Sequence, residues 1–213
     1  ATLYYYEACG RGNSLRLALA EAGIEWVDEY PENGYPPSVE VAAYWQGIGG
    51  NLTTNVPMLK TADGKVFCQS SAVLRAIGRI GGLIPSSDDD QYLVDKLISD
   101  AEDSRSMAYK ALPLFGATKE VQDTFIKAFK TKHLPNFQRQ LGDKEWMVGQ
   151  TITIADITVY DALTSFGEGL IPGVLDDFPT LKIWKERVAA RPKIAEYLSS
   201  DRFVRLRKFA AIV

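Results

Sequence analysis

The sequence has few of the residues that build metal sites or disulfide frameworks, because its 213 residues include two cysteines and one histidine. So few nitrogen and sulfur ligands do not make a zinc site or a disulfide-rich fold, and we expect no metal. The chain also lacks any apolar run near the ~18 residues of a membrane helix, and its first residues lack the pattern of a signal peptide. These absences predict a cytoplasmic protein that does not enter a membrane.

Nor does either sign of charge dominate, because 24 basic residues stand against 27 acidic ones for a net charge of −3. Neither half of the chain is basic enough for a nucleic-acid-binding surface, so no nucleic-acid partner is expected. A composition that is 46% hydrophobic and 24% charged is ordinary for globular proteins and excludes disordered or fibrous chains. At this length two domains are expected.

The part of the chain up to residue 83 alternates strand and helix signals. Clustered prolines and glycines at 31–55 predict a long loop with at most one short helix. Asp63-Gly64 predicts the turn of a hairpin. This order of elements is that of a small α/β domain. The predicted strands are 3–6, 24–27, 56–59 and 66–67, and the predicted helices end at Gly23 and cover 72–80.

Beyond residue 84 only helical periods occur, which predicts an all-α second domain. A polar linker of serines and aspartates at 86–90 suits the N-cap of its first helix. We therefore predict two domains, 1–83 and 84–213. The predicted helices cover 90–110, 119–141, 153–166, 179–190 and 193–198.

The helix predicted from residue 153 begins with a capping box, Thr153-Ile154-Ala155-Asp156. The Thr153 side chain can accept from the Asp156 amide, while the Asp156 carboxylate reaches back to the Thr153 amide. The helix that follows is apolar on most sides, which predicts a central position in its domain. We interpret Asp156 as a folding element rather than a catalytic group.

Three other features have simple structural explanations. Gly10-Arg11-Gly12 follows a strand as a dinucleotide-binding loop would, but Leu15 stands where that motif needs a third glycine. Cys9 has no second cysteine nearby, so it is interpreted as a small buried side chain. His133 has no nucleophile or base at a known spacing and is interpreted as structural.

Taken together, the motifs of the chain resemble those of a cytosolic glutathione transferase over essentially its full length, and most resemble the tyrosine-type sigma or alpha classes. The resemblance implies a thioredoxin-like α/β N-terminal domain with Pro57 as a cis-proline, followed by an all-α C-terminal domain. It also implies a homodimeric detoxification enzyme that conjugates glutathione, its co-substrate, to small hydrophobic electrophiles. The residues that carry the resemblance are Tyr5-Tyr6, Gly10-Arg11, Arg16, Val56-Pro57-Met58-Leu59, Gln69 to Arg75, the Thr153/Asp156 box, and the run from Pro179 to Leu198.

Three consecutive tyrosines are candidates for the catalytic group of such an enzyme. In tyrosine-type relatives the catalytic tyrosine precedes the helix-1 arginine by eleven residues, which from Arg16 gives Tyr5. Strand alternation also separates Tyr5 from Tyr4 and Tyr6. The same alignment gives Arg11 the place of an arginine near the sulfur. A phenol of pKa ~10 stays protonated at neutral pH and can donate a hydrogen bond to a thiolate.

The resemblance also implies the residues that bind glutathione. The backbone of Val56, beside Pro57, would pair with the cysteinyl residue like an added strand. Gln69 and Ser70, at a helix start, would bind the γ-glutamyl carboxylate. Three further glutathione contacts are expected: Trp45 along the glycyl arm, Asn55 before Val56, and Asp103 at the γ-glutamyl amine held by the neighbouring subunit. The hydrophobic substrate site is expected to use Tyr6, Ala8, Arg105 and Tyr109.

Several alternatives stay open at this point. Gln69-Ser70-Ser71 alone reads as a plain helix cap, and Asp103 equally fits a solvated acidic face. Asn55 replaces the usual Gln or Lys, and the basic residue expected shortly after Trp45 is missing, which puts recognition of the glycyl carboxylate in question. The chain could instead be a glutathione-dependent isomerase or peroxidase of lipid-derived substrates, or a non-catalytic structural protein or hydrophobic-ligand carrier. Thiol transfer through Cys9 fits least.

Overall fold

A computed structural model of the protein describes residues 1–31, 38–49 and 56–213. Its backbone contacts group into two compact units. One unit is Ala1–Leu83 with Pro192–Arg207, and the other is Ile84–Arg191 with Lys208–Val213. The predicted domains, 1–83 and 84–213, differ from these units mainly at 192–207, which groups with the N-terminal residues. No helix in the described ranges is both long and apolar enough to cross a membrane.

The first unit contains a mixed four-stranded sheet of strand order β2-β1-β3-β4. β1 runs parallel to β2 and antiparallel to β3, and β4 closes a hairpin with β3. β1 is therefore an interior strand, and the residues that follow it leave the sheet at the end where Tyr4 lies. The strands are β1 Thr2–Tyr4, β2 Val27–Glu29, β3 Met58–Lys60 and β4 Val66–Cys68.

Helices connect these strands as the sequence predicts. Helix α1 ends at a left-handed Gly23 with φ +68°, a conformation in which glycine has no steric penalty. The hairpin turns at Asp63-Gly64, where Gly64 has φ +84° and donates to the Thr61 carbonyl at 3.0 Å. The helices of this unit are α1 Asn13–Ala22, α2 Val39–Gly47, α3 Ser70–Ile80, α9 Pro192–Ser199 and α10 Asp201–Val204.

All four strands differ from the predicted bounds by one or more residues, and β3 begins at Met58 rather than at residue 56. β1 ends at Tyr4 rather than continuing to residue 6, and β2 begins at Val27 rather than at residue 24. Apolar residues at 24–27 suggest a strand, but the parallel register pairs Thr2 with Val27 and Tyr4 with Glu29. β2 therefore starts only where a β1 partner is available.

The second unit is helical, as predicted, and begins with the 24-residue helix α4. Two π-helical stretches extend the predicted long helices, one joining α5 to α6 and one continuing α7. The elements are α4 Asp88–Ala111, α5 Lys119–Ala128, the π stretch Phe129–His133, α6 Leu134–Leu141, α7 Ile154–Asp161, the π stretch Ala162–Glu168 and α8 Pro179–Ala189.

The predicted capping box at the start of α7 is confirmed. The Thr153 amide donates to Asp156 Oδ2 at 2.9 Å, and the Ala155 amide donates to Thr153 Oγ1 at 3.2 Å. Asp156 is fully buried and also accepts from the Met147 amide at 2.8 Å and the Trp184 indole at 3.2 Å. The carboxylate thus links the loop before α7, the helix itself and α8. These hydrogen bonds explain why Asp156 is buried, and they agree with its interpretation as a folding element.

Candidate active site

The sheet register brings three predicted site residues to one end of neighbouring strands. The residues paired in a row across β1, β3 and β4 are Tyr4, Met58 and Cys68. Because β3 is antiparallel to both neighbours, the next residues beyond that row lie at the same sheet end: Tyr5, Pro57 and Gln69. Adjacent strands are about 4.8 Å apart, so the backbones of these three residues are close neighbours. This sheet end is the candidate active site.

Tyr5 has different surroundings from Tyr4, the buried tyrosine that precedes it. Tyr5 is 7% exposed, and its hydroxyl oxygen accepts a hydrogen bond from the Arg11 amide at 2.8 Å. That bond uses a lone pair of the oxygen and not the phenol proton. Tyr4 and Tyr6 instead pack in a cluster with Trp45 and Met58. Tyr5 is thus separated from Tyr4, as strand alternation predicts, but its ring contacts that of Tyr6 edge to face, with centroids 5.4 Å apart.

The Tyr5 ring lies directly against Gly12. A Cβ on Gly12 would be 2.9 Å from Tyr5 Cγ and 3.0 Å from Cε1, closer than real Cβ contacts allow. Gly12 has φ −80°, a value that alanine adopts without strain, so only the ring excludes a side chain there. Gly12 is therefore part of the surface that positions the phenol, although in the sequence it stands out only within the incomplete dinucleotide-binding pattern Gly10-Arg11-Gly12.

We expect Gly12→Ala to displace the Tyr5 ring and to lower kcat for glutathione conjugation about tenfold or more, because small misplacements of catalytic groups are costly. Steady-state kinetics and the melting temperature measure the effect. Gly47→Ala is the matched control, since a Cβ on Gly47, in α2, meets no atom within 4 Å. A Gly12→Ala enzyme with unchanged kcat would show that the position of the ring does not matter.

Arg16 fixes the chain that follows Tyr5. Its guanidinium donates to the Ala8 carbonyl at 2.9 Å, to the Tyr6 carbonyl at 3.1 Å and to Asp28 at 2.8 Å. Burial lowers the pKa of Arg16, but the charge of Asp28 outweighs it, so the pKa lies above its ordinary value and the group stays charged. In the sequence, Arg16 belongs to the family resemblance and gives the spacing to Tyr5, but neither signal predicts this anchoring role.

The Val56–Pro57 peptide bond is cis, as the resemblance implies. Pro57 is buried and Val56 is half-buried at the start of the β3 hairpin. On the neighbouring strand end, Gln69 is exposed and has φ +70°, ψ +109°, and it is the N-cap of α3, with Ser70 as the first helical residue. A non-glycine residue at such angles costs about 1–3 kcal/mol and is found most often at ligand sites.

The remaining first-unit residues are more buried than the prediction suggests. Trp45 is 1% exposed, with its ring 5.7 Å from that of Tyr6, so its place along a glycyl arm stays a prediction. Ala8 is 6% exposed. Asn55 lies outside the described residues.

Three predicted residues lie in the second unit. Asp103 is exposed on α4. Arg105 is 4% exposed and binds Asp161 at 3.0 Å and Glu102 at 2.9 Å, so its guanidinium is part of a buried ionic network. Tyr109 lies in an aromatic group, with ring centroids 5.4 to 6.1 Å from those of Phe115, Phe166 and Phe209. The substrate-binding roles of these residues stay predictions.

Comparisons with known proteins place this geometry in a family. The family model described as "Glutathione S-transferase, C-terminal domain" matches residues 103–201. Glutathione S-transferase P of Homo sapiens is 32% identical over 212 residues, covering 96% of this chain and 94% of that protein. The chain belongs to the glutathione S-transferase family. Glutathione S-transferase Mu 1 of Oryctolagus cuniculus is 29% identical, over 98% of this chain and 94% of that protein.

A solved structure of a glutathione S-transferase confirms the fold. The glutathione S-transferase from Ascaris lumbricoides superposes with a TM-score of 0.77 at 26% identity, covering 93% of this chain and 95% of that one. The predicted fold class, a thioredoxin-like α/β part with an all-α part, is therefore confirmed for this member of an enzyme family. In the described part of the chain, no three histidine, cysteine or carboxylate side chains are grouped to hold a metal ion.

Proposed function

We propose that the protein is a glutathione transferase that binds the glutathione thiol as a thiolate for attack on small hydrophobic electrophiles. In the reaction the thiol proton passes to solvent, a sulfur–carbon bond forms and the leaving group departs with its electron pair. The observation that carries the proposal is the convergence of Tyr5, the cis-proline Pro57 and Gln69 at one sheet end. Family membership supports it.

Ionising the glutathione thiol at neutral pH requires only a moderate stabilisation of the thiolate. A cysteinyl thiol titrates near ~8.5, so half ionisation at pH 7 needs a shift of ~1.5 units, or about 2 kcal/mol. One hydrogen bond to a charged partner contributes ~1.5–3 kcal/mol, so the Tyr5 phenol could supply most of it. The Arg11 amide bonded to Tyr5 belongs to the turn Gly10–Gly12, which leads directly into α1. The positive end of that helix, together with the charge of Arg11, would further favour a thiolate.

Glutathione would be held by backbone groups more than by charged side chains. The Val56 amide and carbonyl would pair with the cysteinyl backbone as an added strand. The γ-glutamyl carboxylate would lie at the start of α3, where Gln69 and Ser70 stand and the first amides have no intrahelical acceptors. Trp45, Asn55 and the exposed Asp103 would complete the binding of the tripeptide.

Four finer statements belong to the same proposal. The enzyme would act in detoxification as a homodimer in the cytoplasm, with Asp103 reaching the tripeptide in the neighbouring subunit. Its electrophile site would use Tyr6, Ala8, Arg105 and Tyr109. The class would be sigma or alpha, although the relatives named above are P and Mu enzymes. No metal would take part.

Retention on immobilised glutathione, combined with turnover of a chloronitrobenzene, tests the proposal. We expect the protein to bind, to elute with free glutathione and to form the conjugate. Binding without turnover would contradict the transferase proposal and favour the isomerase, peroxidase or ligand-carrier alternatives. Neither binding nor turnover would favour a structural protein.

A further inference from the structure

The chain between Tyr5 and Arg11 leaves the sheet but does not become an unsupported loop. β1 ends at Tyr4, and among the described residues no strand of the sheet lies beside residues 6–9, here called the active-site segment. On one side, the carbonyls of Tyr6 and Ala8 accept hydrogen bonds from Arg16, at 3.1 and 2.9 Å. The even-numbered residues of the segment are therefore held by one buried side chain.

The odd-numbered residues of the segment are held by the far end of the sequence. The Arg207 amide donates to the Glu7 carbonyl at 3.1 Å, and the Cys9 amide donates to the Arg207 carbonyl at 3.0 Å. Arg207 thereby forms a parallel β-bridge with Ala8. The segment is bent, since the Ala8 amide donates to the Tyr6 carbonyl at 2.7 Å, but the two bonds to Arg207 give it a backbone partner on this side. Residues 205–207, here called the C-terminal strap, supply that partner.

The strap is itself anchored. Its middle residue, Leu206, is 2% exposed, and the burial of this side chain holds the strap in place. Arg205 lies 3.2 Å from the Glu7 carboxylate, although this pair is largely exposed and contributes little.

Helix α10 links the strap to Arg16. Just before the strap, Arg202 on α10 lies 3.8 Å from Asp28, the carboxylate that also binds Arg16 at 2.8 Å. Arg16 and the helix that leads into the strap, the two supports of the active-site segment, therefore share the carboxylate of Asp28.

We propose that the C-terminal strap is a positioning element for thiol activation, an inference that rests on the proposed function. The Tyr5 hydroxyl and the Arg11 amide are joined at 2.8 Å, and the active-site segment is the chain that connects them. Releasing one side of that segment lets the two groups move relative to the bound sulfur. Arg207 does not touch the substrate in this account; its backbone acts through Glu7 and Cys9.

Arg207→Pro removes the amide that donates to Glu7, whereas Arg207→Ala keeps that amide and removes an exposed side chain. In Arg207→Pro we expect faster hydrogen exchange in residues 6–9. We also expect the pH midpoint of kcat/KM to move up toward the ~8.5 of a free thiol, with kcat at neutral pH about tenfold lower and the glutathione KM little changed. Arg207→Ala should match the unmodified protein in each readout.

A second pair of variants covers the case in which proline prevents folding. Leu206→Ala loosens the strap and keeps every backbone amide, and Ile194→Ala removes a comparable, fully buried side chain from α9, ahead of the strap. Both should lower the melting temperature, but only Leu206→Ala should raise the pH midpoint and the exchange of residues 6–9.

Two results would overturn the positioning role: faster exchange in residues 6–9 with an unmoved pH midpoint, or equal shifts in Leu206→Ala and Ile194→Ala. An unmodified protein that forms no glutathione conjugate would overturn the proposed function instead. The two failures are distinguishable because the second occurs before any residue is changed.

Discussion

Tyr5→Phe is expected to shift the pH profile of glutathione conjugation upward by about 1–2 units. The phenol hydrogen bond stabilises the thiolate by ~1.5–3 kcal/mol, and each pH unit corresponds to about 1.4 kcal/mol. Because the phenol stabilises the deprotonated sulfur, its loss raises the pKa of the bound thiol toward ~8.5. Activity should therefore fall about 5- to 50-fold at neutral pH and recover at alkaline pH, as measured by kcat/KM across pH.

The matched control for this experiment is Tyr4→Phe, which removes the hydroxyl of an equally buried neighbour. Tyr4 is 6% exposed and Tyr5 is 7% exposed, but Tyr4 packs with Trp45 and Met58 rather than against the Arg11 turn. Its profile should be that of the unmodified enzyme. Equal profiles for Tyr5→Phe and the unmodified enzyme would remove Tyr5 from the mechanism.

Asp156→Ala is expected to lower the free energy of unfolding by roughly 3–6 kcal/mol. The change leaves four buried donors without their acceptor, namely the amides of Met147 and Thr153, the Thr153 hydroxyl and the indole of Trp184. Each buried donor without an acceptor costs ~1–3 kcal/mol, out of the ~5–15 kcal/mol that stabilises a typical protein. For a chain of this size, the apparent melting temperature should fall by roughly 10 °C or more, as calorimetry would measure.

Asp123→Ala is the control for that loss. Asp123 pairs with Lys119 at 2.6 Å, but its side chain is 57% exposed, and such pairs contribute less than ~1 kcal/mol. The folded fraction of Asp156→Ala should keep an unchanged glutathione KM, since Asp156 supports the helical unit and touches no glutathione. A melting temperature within one or two degrees of the unmodified protein would contradict the account of the capping box.

Local chemistry explains which parts of the fold were predictable. The turn at Asp63-Gly64, the helix end at Gly23 and the box at Thr153 depend on backbone preferences of adjacent residues, and the structure confirms all three. The start of β2 was misplaced because strand pairing, not local hydrophobicity, decides it: Val27 is the first residue with a partner on β1.

In the candidate site, too, local features were predictable and contacts between distant residues were not. The spacing from Arg16 to Tyr5 is a local signal, and the structure places the Tyr5 hydroxyl on the Arg11 amide. The unusual backbone of Gln69 and the partnership of Asp28 with Arg16 leave no comparable trace in sequence. The C-terminal strap was not predicted, because its contacts are backbone hydrogen bonds between residues far apart in the chain. Such bonds do not require a particular side chain and leave no pattern in the sequence.

The most direct test of the central claim is a crystal structure with glutathione bound. The account predicts the tripeptide sulfur within hydrogen-bond distance of the Tyr5 hydroxyl, with the cysteinyl backbone paired to Val56. A sulfur that lies against Cys9, Tyr6 or solvent, out of reach of the Tyr5 oxygen, would contradict it.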